Sequence, residues 1–206
     1  MPLLLNGRYL PIRQIKVGVQ GTTFLAEDLD SATRRQCVIT QLWSKKQQSF
    51  QQMEEVKEKF RQEAKILELF GTEHFQIPSL LAHFKLDVPA FSEFRTLSPQ
   101  IESFFYLVRE YIEGQTLAQE LRQRGRFAES TVIGIMQQIL PVLQFIHGHE
   151  YSKIHQNLNP ESIVQDPQGR FYLTDFGTIQ KGMATLPQTL FAPPEQQADQ
   201  PLLSFI

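Results

Sequence analysis

Ile154-His155-Gln156-Asn157-Leu158-Asn159-Pro160-Glu161-Ser162-Ile163-Val164, followed by Phe171-Tyr172-Leu173-Thr174-Asp175-Phe176-Gly177, is the most informative stretch of this chain. Ser162 to Gln165 and Phe171 to Thr174 read as two short strands, and a polar loop precedes them. Asn157 and Asn159 bring carboxamides to the loop, and Ser162 brings a hydroxyl. A carboxamide takes up no proton near neutral pH, so Asn157 is not a general base. Asp175 supplies a carboxylate next to an aromatic residue and a glycine.

Working outward, Glu129 to His147 carries apolar residues nearly all round, from Val132 and Ile133 to Phe145 and Ile146. Such a helix is expected to be buried on most sides. Gly114 marks a turn into a short helix over Leu117 to Arg124. Tyr9 to Gln41 reads as a three-strand meander with a glycine turn at Gly18 to Gly21. Met53, Val56, Phe60, Ala64 and Leu67 recur at spacings of three and four, which predicts a helix over Gln47 to Phe70 stopped by Gly71. Leu80 to Leu86 and Phe104 to Val108 read as two more strands. Between them Asp87 to Glu102, with Pro89, Pro99 and several serines, reads as an unusually long loop.

Composition bounds the function. The 206 residues suffice for one core or two small lobes, and 41% hydrophobic content suits a globular chain. A net charge of -2 gives no global electrostatic case for nucleic acid. Cys37 is the single cysteine, which excludes an intramolecular disulfide and fits a reducing compartment. Met1 to Leu5 is too short for a signal-peptide core, and no run is read as long enough to span a membrane. A cytoplasmic location is expected, with peripheral attachment to a membrane complex left open. No histidine shows metal-ligand spacing with a cysteine pair.

The ordered set resembles bacterial, especially cyanobacterial-type, serine/threonine protein kinases from about Leu5 to Gln197. Leu25-Ala26-Glu27-Asp28, Glu113-Gly114-Gln115-Thr116-Leu117 and Ala192-Pro193-Pro194-Glu195-Gln196 are close to that family's wording. The resemblance implies an α+β, bilobal, protein-kinase-like fold. Its N-lobe, residues 1–112 with an insertion at 87–102, holds an antiparallel sheet and one long helix. Its C-lobe, residues 113–206, is reduced, mainly helical and truncated. In the family's H-R-D-x-K-P-x-x-N loop, His155 and Pro160 are kept, while Gln156, Asn157, Asn159 and Ser162 replace the Arg, Asp, Lys and second magnesium ligand. The strand lysine of V-A-I-K is Thr40, with Glu63 as the expected helix partner. The phosphate loop, Lys16-Val17-Gly18-Val19-Gln20-Gly21, has lost its first glycine. Arg109 falls at the gatekeeper position, and Val38 narrows the adenine pocket.

These departures lead to the expectation of a catalytically inactive pseudokinase, not an enzyme, acting as a protein-binding or assembly subunit. No cofactor is then expected. The alternative is a weak, atypical serine/threonine kinase or ATP-binding regulator that uses Asp175-bound magnesium and a displaced lysine such as Lys16. The residual nucleotide site implied by the resemblance comprises Gly18, Gly21, Glu63, Glu110, Ile112 and Asp175. A full kinase continues with further helices that bury the equivalent of Glu129–His147. Another protein chain is therefore expected over that face, with Leu202, Leu203, Phe205 and Ile206 joining the contact. Phe91, Phe94 and Leu97 form a second expected interface.

Overall fold

The structure is a computed structural model that describes residues 4–17, 21–43, 50–91, 97–148 and 158–176. The chain divides into two compact units, Met1–Glu68 with Ser79–Tyr111, and Leu69–Pro78 with Ile112–Ile206.

The first unit is built on β1 (Tyr9–Val17), β2 (Gly21–Asp28), β3 (Gln36–Trp43), β4 (Leu80–Phe91) and β5 (Leu97–Glu110). They form one antiparallel sheet in the order β1-β2-β3-β5-β4. Side chains alternate across it. Tyr9, Ala26, Cys37, Ile39, Tyr106 and Val108 bury one face, where Phe84 stacks between Tyr9 and Tyr106 at 6.0 and 5.2 Å. The opposite face meets α1 (Phe50–Glu73), whose Phe60 ring lies 5.9 Å from that of Phe105. Phe60, Ala64, Leu67 and Phe70 are the buried stripe of α1. At the start of β2 a Cβ on Gly21 would stand 2.1 Å from the carbonyl oxygen of Gln41, so only glycine permits this close pairing.

Two expectations are corrected here. The expected loop over Asp87 to Glu102 is strand in its described parts: β4 continues to Phe91 and β5 begins at Leu97, past the rest of the sheet, pairing Asp87 with Ser103, Val88 with Glu102 and Pro89 with Ile101. Pro89 misleads because β4 is an edge strand, where a missing N–H goes unnoticed. The Ser103 hydroxyl and the Lys85 ammonium both donate to the Asp87 carboxylate, at 2.6 and 3.0 Å. Nor does Gly71 stop the helix, because α1 continues to Glu73. One missing Cβ weakens a helix without ending it when Phe70 on the same turn is fully packed.

The second unit holds α2 (Leu117–Arg124), α3 (Glu129–Gly148) and the strands β6 (Gln115–Thr116), β7 (Ile163–Gln165) and β8 (Phe171–Leu173), in sheet order β6-β7-β8. Thr116 and Gln119 form a reciprocal capping box that starts α2. Gly114, at φ +152, lets β6 approach β7; a Cβ there would sit 2.0 Å from the Gln165 carbonyl oxygen. The expectation that α3 is buried on most sides is corrected, while an uncovered apolar face agrees with the expectation that another chain covers it. Ile135, Ile139, Val142 and Ile146 are buried, but Val132, Ile133, Met136 and Leu140 are 41–53% exposed. By length and composition α3 also meets the requirement for a membrane span, contrary to the sequence reading. Its inward face carries Gln138, which hydrogen-bonds the backbone of the β8 hairpin.

Asp28 anchors the first unit's outer end. Its carboxylate is fully buried and accepts both Arg8 Nε and Nη2, at 2.6 and 2.7 Å, with Arg35 Nε at 3.4 Å. The Arg8 guanidinium holds the Asp28 carboxyl below the usual range, against the opposing push of burial. A depressed folded-state pKa gives stability that is present above the unfolded value and lost as pH falls through the folded one. We expect urea midpoints to decline below about pH 4 in the parent. Asp28→Asn should be less stable at neutral pH and show a flatter acid limb.

Candidate functional site

Sequence-predicted site residues fall in both units. In the second, the loop Asn159–Ser162 is held by its own polar groups. The Ser162 hydroxyl donates to the Asn159 carbonyl at 2.8 Å and accepts from the Asn159 N–H at 3.1 Å. The Asn159 side-chain oxygen accepts the Glu161 N–H at 2.8 Å. Ala118 N–H donates to the Pro160 carbonyl, tying the loop to the start of α2. Ser162 is fully buried, and its carbonyl receives Thr174 N–H at 2.9 Å. Its hydroxyl is thus committed to the loop's backbone and is not aimed outward as a metal ligand.

Beyond Thr174 the chain delivers Asp175, half-buried, and Phe176, buried. The Asp175 carboxylate has no hydrogen-bond or ion-pair partner among the described residues. What aims it is β8. Gln76 Nε2 donates to the Phe171 carbonyl at 2.8 Å and to the Gln138 carbonyl at 3.3 Å, and Leu173 N–H donates to the Gln76 carbonyl at 2.9 Å. Gln138 returns the contact, accepting Phe171 N–H at 3.1 Å and donating to the Gly169 carbonyl at 3.3 Å. The two glutamines escaped the sequence reading. The available signal was a carboxamide inside an apolar run, as in Phe75-Gln76-Ile77-Pro78.

In the first unit Thr40 lies on β3 between Thr23 and Leu107, half-buried, with no side-chain hydrogen bond among the described residues. Glu63 is half-buried on α1, one turn after Phe60. Glu110 closes β5, where it pairs with Cys37 and donates its N–H to the Ser79 carbonyl at 2.9 Å. Ile112, half-buried, begins the second unit's longer segment. Gly18, Asn157, Phe94, Leu202, Leu203, Phe205 and Ile206 lie outside the described residues, as do the side chains of Phe91 and Leu97. Among the described residues no three His, Cys, Asp or Glu side chains cluster as a metal site.

A sheet-and-helix unit joined to a mainly helical unit that presents an aspartate after a short hairpin defines a protein-kinase-like molecule. The protein kinase domain family matches residues 12–192, and the chain belongs to that family. It is similar to serine/threonine-protein kinase F of Synechocystis sp., 35% identical over 96% of this chain and 41% of that protein. It is similar to serine/threonine-protein kinase PknA of Nostoc sp., 36% identical over 90% of this chain and 30% of that protein. Serine/threonine-protein kinase C of Synechocystis sp. is 38% identical over 89% of this chain and 31% of that protein. The chain thus spans at most about two fifths of the length of these relatives.

These matches correct the expectation of a non-enzyme. The relatives are named kinases, and the bounds of the family match, residues 12–192, include Thr40, Asn157 and Ser162. Judging those positions singly left out the family to which the chain as a whole belongs.

Ser162→Ala should lower stability by about 1–3 kcal/mol in urea unfolding, because the Asn159 backbone then loses both bonds to the hydroxyl.

Proposed function

We propose that this chain binds ATP with magnesium and acts as a weak, atypical serine/threonine kinase. The observation that carries this reading is the Asp175 carboxylate, which has no hydrogen-bond or ion-pair partner among the described residues and directly follows a hydrogen-bonded hairpin. Magnesium is bound through one or two carboxylates together with substrate phosphates, and keeps several waters, so one such carboxylate fits it. Asp175 is the residue to hold the ion, which supplies charge neutralisation on the phosphates. Ser162 adds no ligand, since its hydroxyl is spent on Asn159. With a carboxamide at Asn157, positioning has to carry the rate; loss of a general base costs about 10²–10⁴-fold.

Thermal shift with ATP, with and without magnesium, tests binding; radiolabelled ATP with a generic protein acceptor tests transfer. A magnesium-dependent stabilisation and slow labelling are expected, both lost in Asp175→Ala. Absence of any shift, or labelling that survives Asp175→Ala, overturns the reading.

A protein-docking role is favoured separately by the exposed stripe Val132, Ile133, Met136 and Leu140 on α3. Ile133→Asp with Leu140→Asp should reduce hydrophobic-dye binding and self-association of the chain while leaving its unfolding free energy in urea within about 0.5 kcal/mol of the parent. Unchanged dye binding sinks the docking role.

A further inference from the structure

The register of the first three strands places Lys16 in line with Thr40, the position at which the family's pattern has its strand lysine. β1 pairs with β2 in three stretches separated by two irregularities, after Pro11 and after Gln14. Before the second, Gln14 stands opposite Phe24; continued unbroken, that register would set Lys16 opposite Thr22. Instead Ile15 is an extra residue and Lys16 stands opposite Thr23. A bulge of this kind flips the face to which the following side chains point, and bulges are over-represented beside active sites.

The face it selects can be identified. Thr22 pairs with Gln41, and Gln41 donates to the Tyr106 hydroxyl on the side that holds Tyr9 and Ile39. Thr23 pairs with Thr40, and Thr40 with Leu107. Leu107 is two residues from Phe105, whose ring meets Phe60 of α1. Directly paired residues share a face, so Lys16, Thr23 and Thr40 form one row on the side of the sheet that faces α1 and Glu63. Two strand spacings separate Lys16 from Thr40, roughly 10 Å between Cα atoms, a span that the long flexible lysine stem covers in large part. Lys16 is exposed and makes no hydrogen bond or ion pair among the described residues; the Thr23 and Thr40 hydroxyls are likewise uncommitted there.

We propose that Lys16 is the phosphate-binding cation of this chain, meeting the nucleotide's phosphates from β1 with the Thr23 and Thr40 hydroxyls beside it in place of the strand lysine absent at Thr40. The proposal rests on the ATP-binding reading above and deepens it. An ammonium and two hydroxyls in a row can all donate to an anionic group, whereas uncharged adenosine lacks the phosphate charge that the ammonium attracts.

The experiment compares affinities of the purified chain for magnesium ATP and for adenosine by calorimetry. Lys16→Ala should weaken ATP about tenfold or more and leave adenosine unchanged. Lys16→Arg should stay near the parent, and Lys16→Ala with Thr40→Lys should recover ATP. Equal ATP affinity in parent and Lys16→Ala overturns the proposal while sparing the ATP reading. Parallel loss of ATP and adenosine overturns it as well, by showing a structural role. A parent that binds neither ligand sinks both.

Discussion

The carboxamide of Gln76 is the contact on which the second unit's chemistry rests. It is buried, and its amide donates to two backbone groups, the Phe171 and Gln138 carbonyls, while the main-chain carbonyl of the same residue accepts the Leu173 N–H. A buried amide left without partners costs more than any single bond it makes is worth. The hairpin of β7 and β8 therefore has one place in which to settle. Asp166 closes its turn by accepting the N–H groups of Gln168 and Arg170 and the Arg170 Nε. Asp175 follows within two residues of β8, so its direction is inherited from the clasp.

The first unit depends on a different constraint, the register of an antiparallel sheet. A period of two means that one inserted residue exchanges the two faces. Ile15 is such a residue, and it turns Lys16 toward α1. The same sheet shows how edge position relaxes rules that hold in the interior. Pro89 is accommodated on β4, while Gly21 at the start of β2 has no room for even a methyl group.

The candidate site was read from the chain residue by residue. Asp175 followed from its neighbours Phe176 and Gly177, and Thr40, Asn157 and Ser162 from their spacing in a recognisable order. The inference drawn from those three substitutions did not hold against the relatives named as kinases. Residue type states what a side chain can do, but not which other side chain stands next to it. Ser162 illustrates the difference. As a residue type it could have been a poor magnesium ligand; in place, it staples its own loop.

Local pattern settled the element types, because periodicities of two and of three to four are properties of neighbouring residues: the α1 stripe, the three-strand meander and the α2 start were all visible in the chain. It also settled the chemical inventory, including the absence of a lysine at position 40 and the presence of one at position 16. Tertiary pairing decided the rest. The extended arm of β4 and β5, the one-sided burial of α3 and the face to which Lys16 turns each depend on which distant backbone supplies the hydrogen bonds. That information belongs to pairs of segments and is written in neither segment alone.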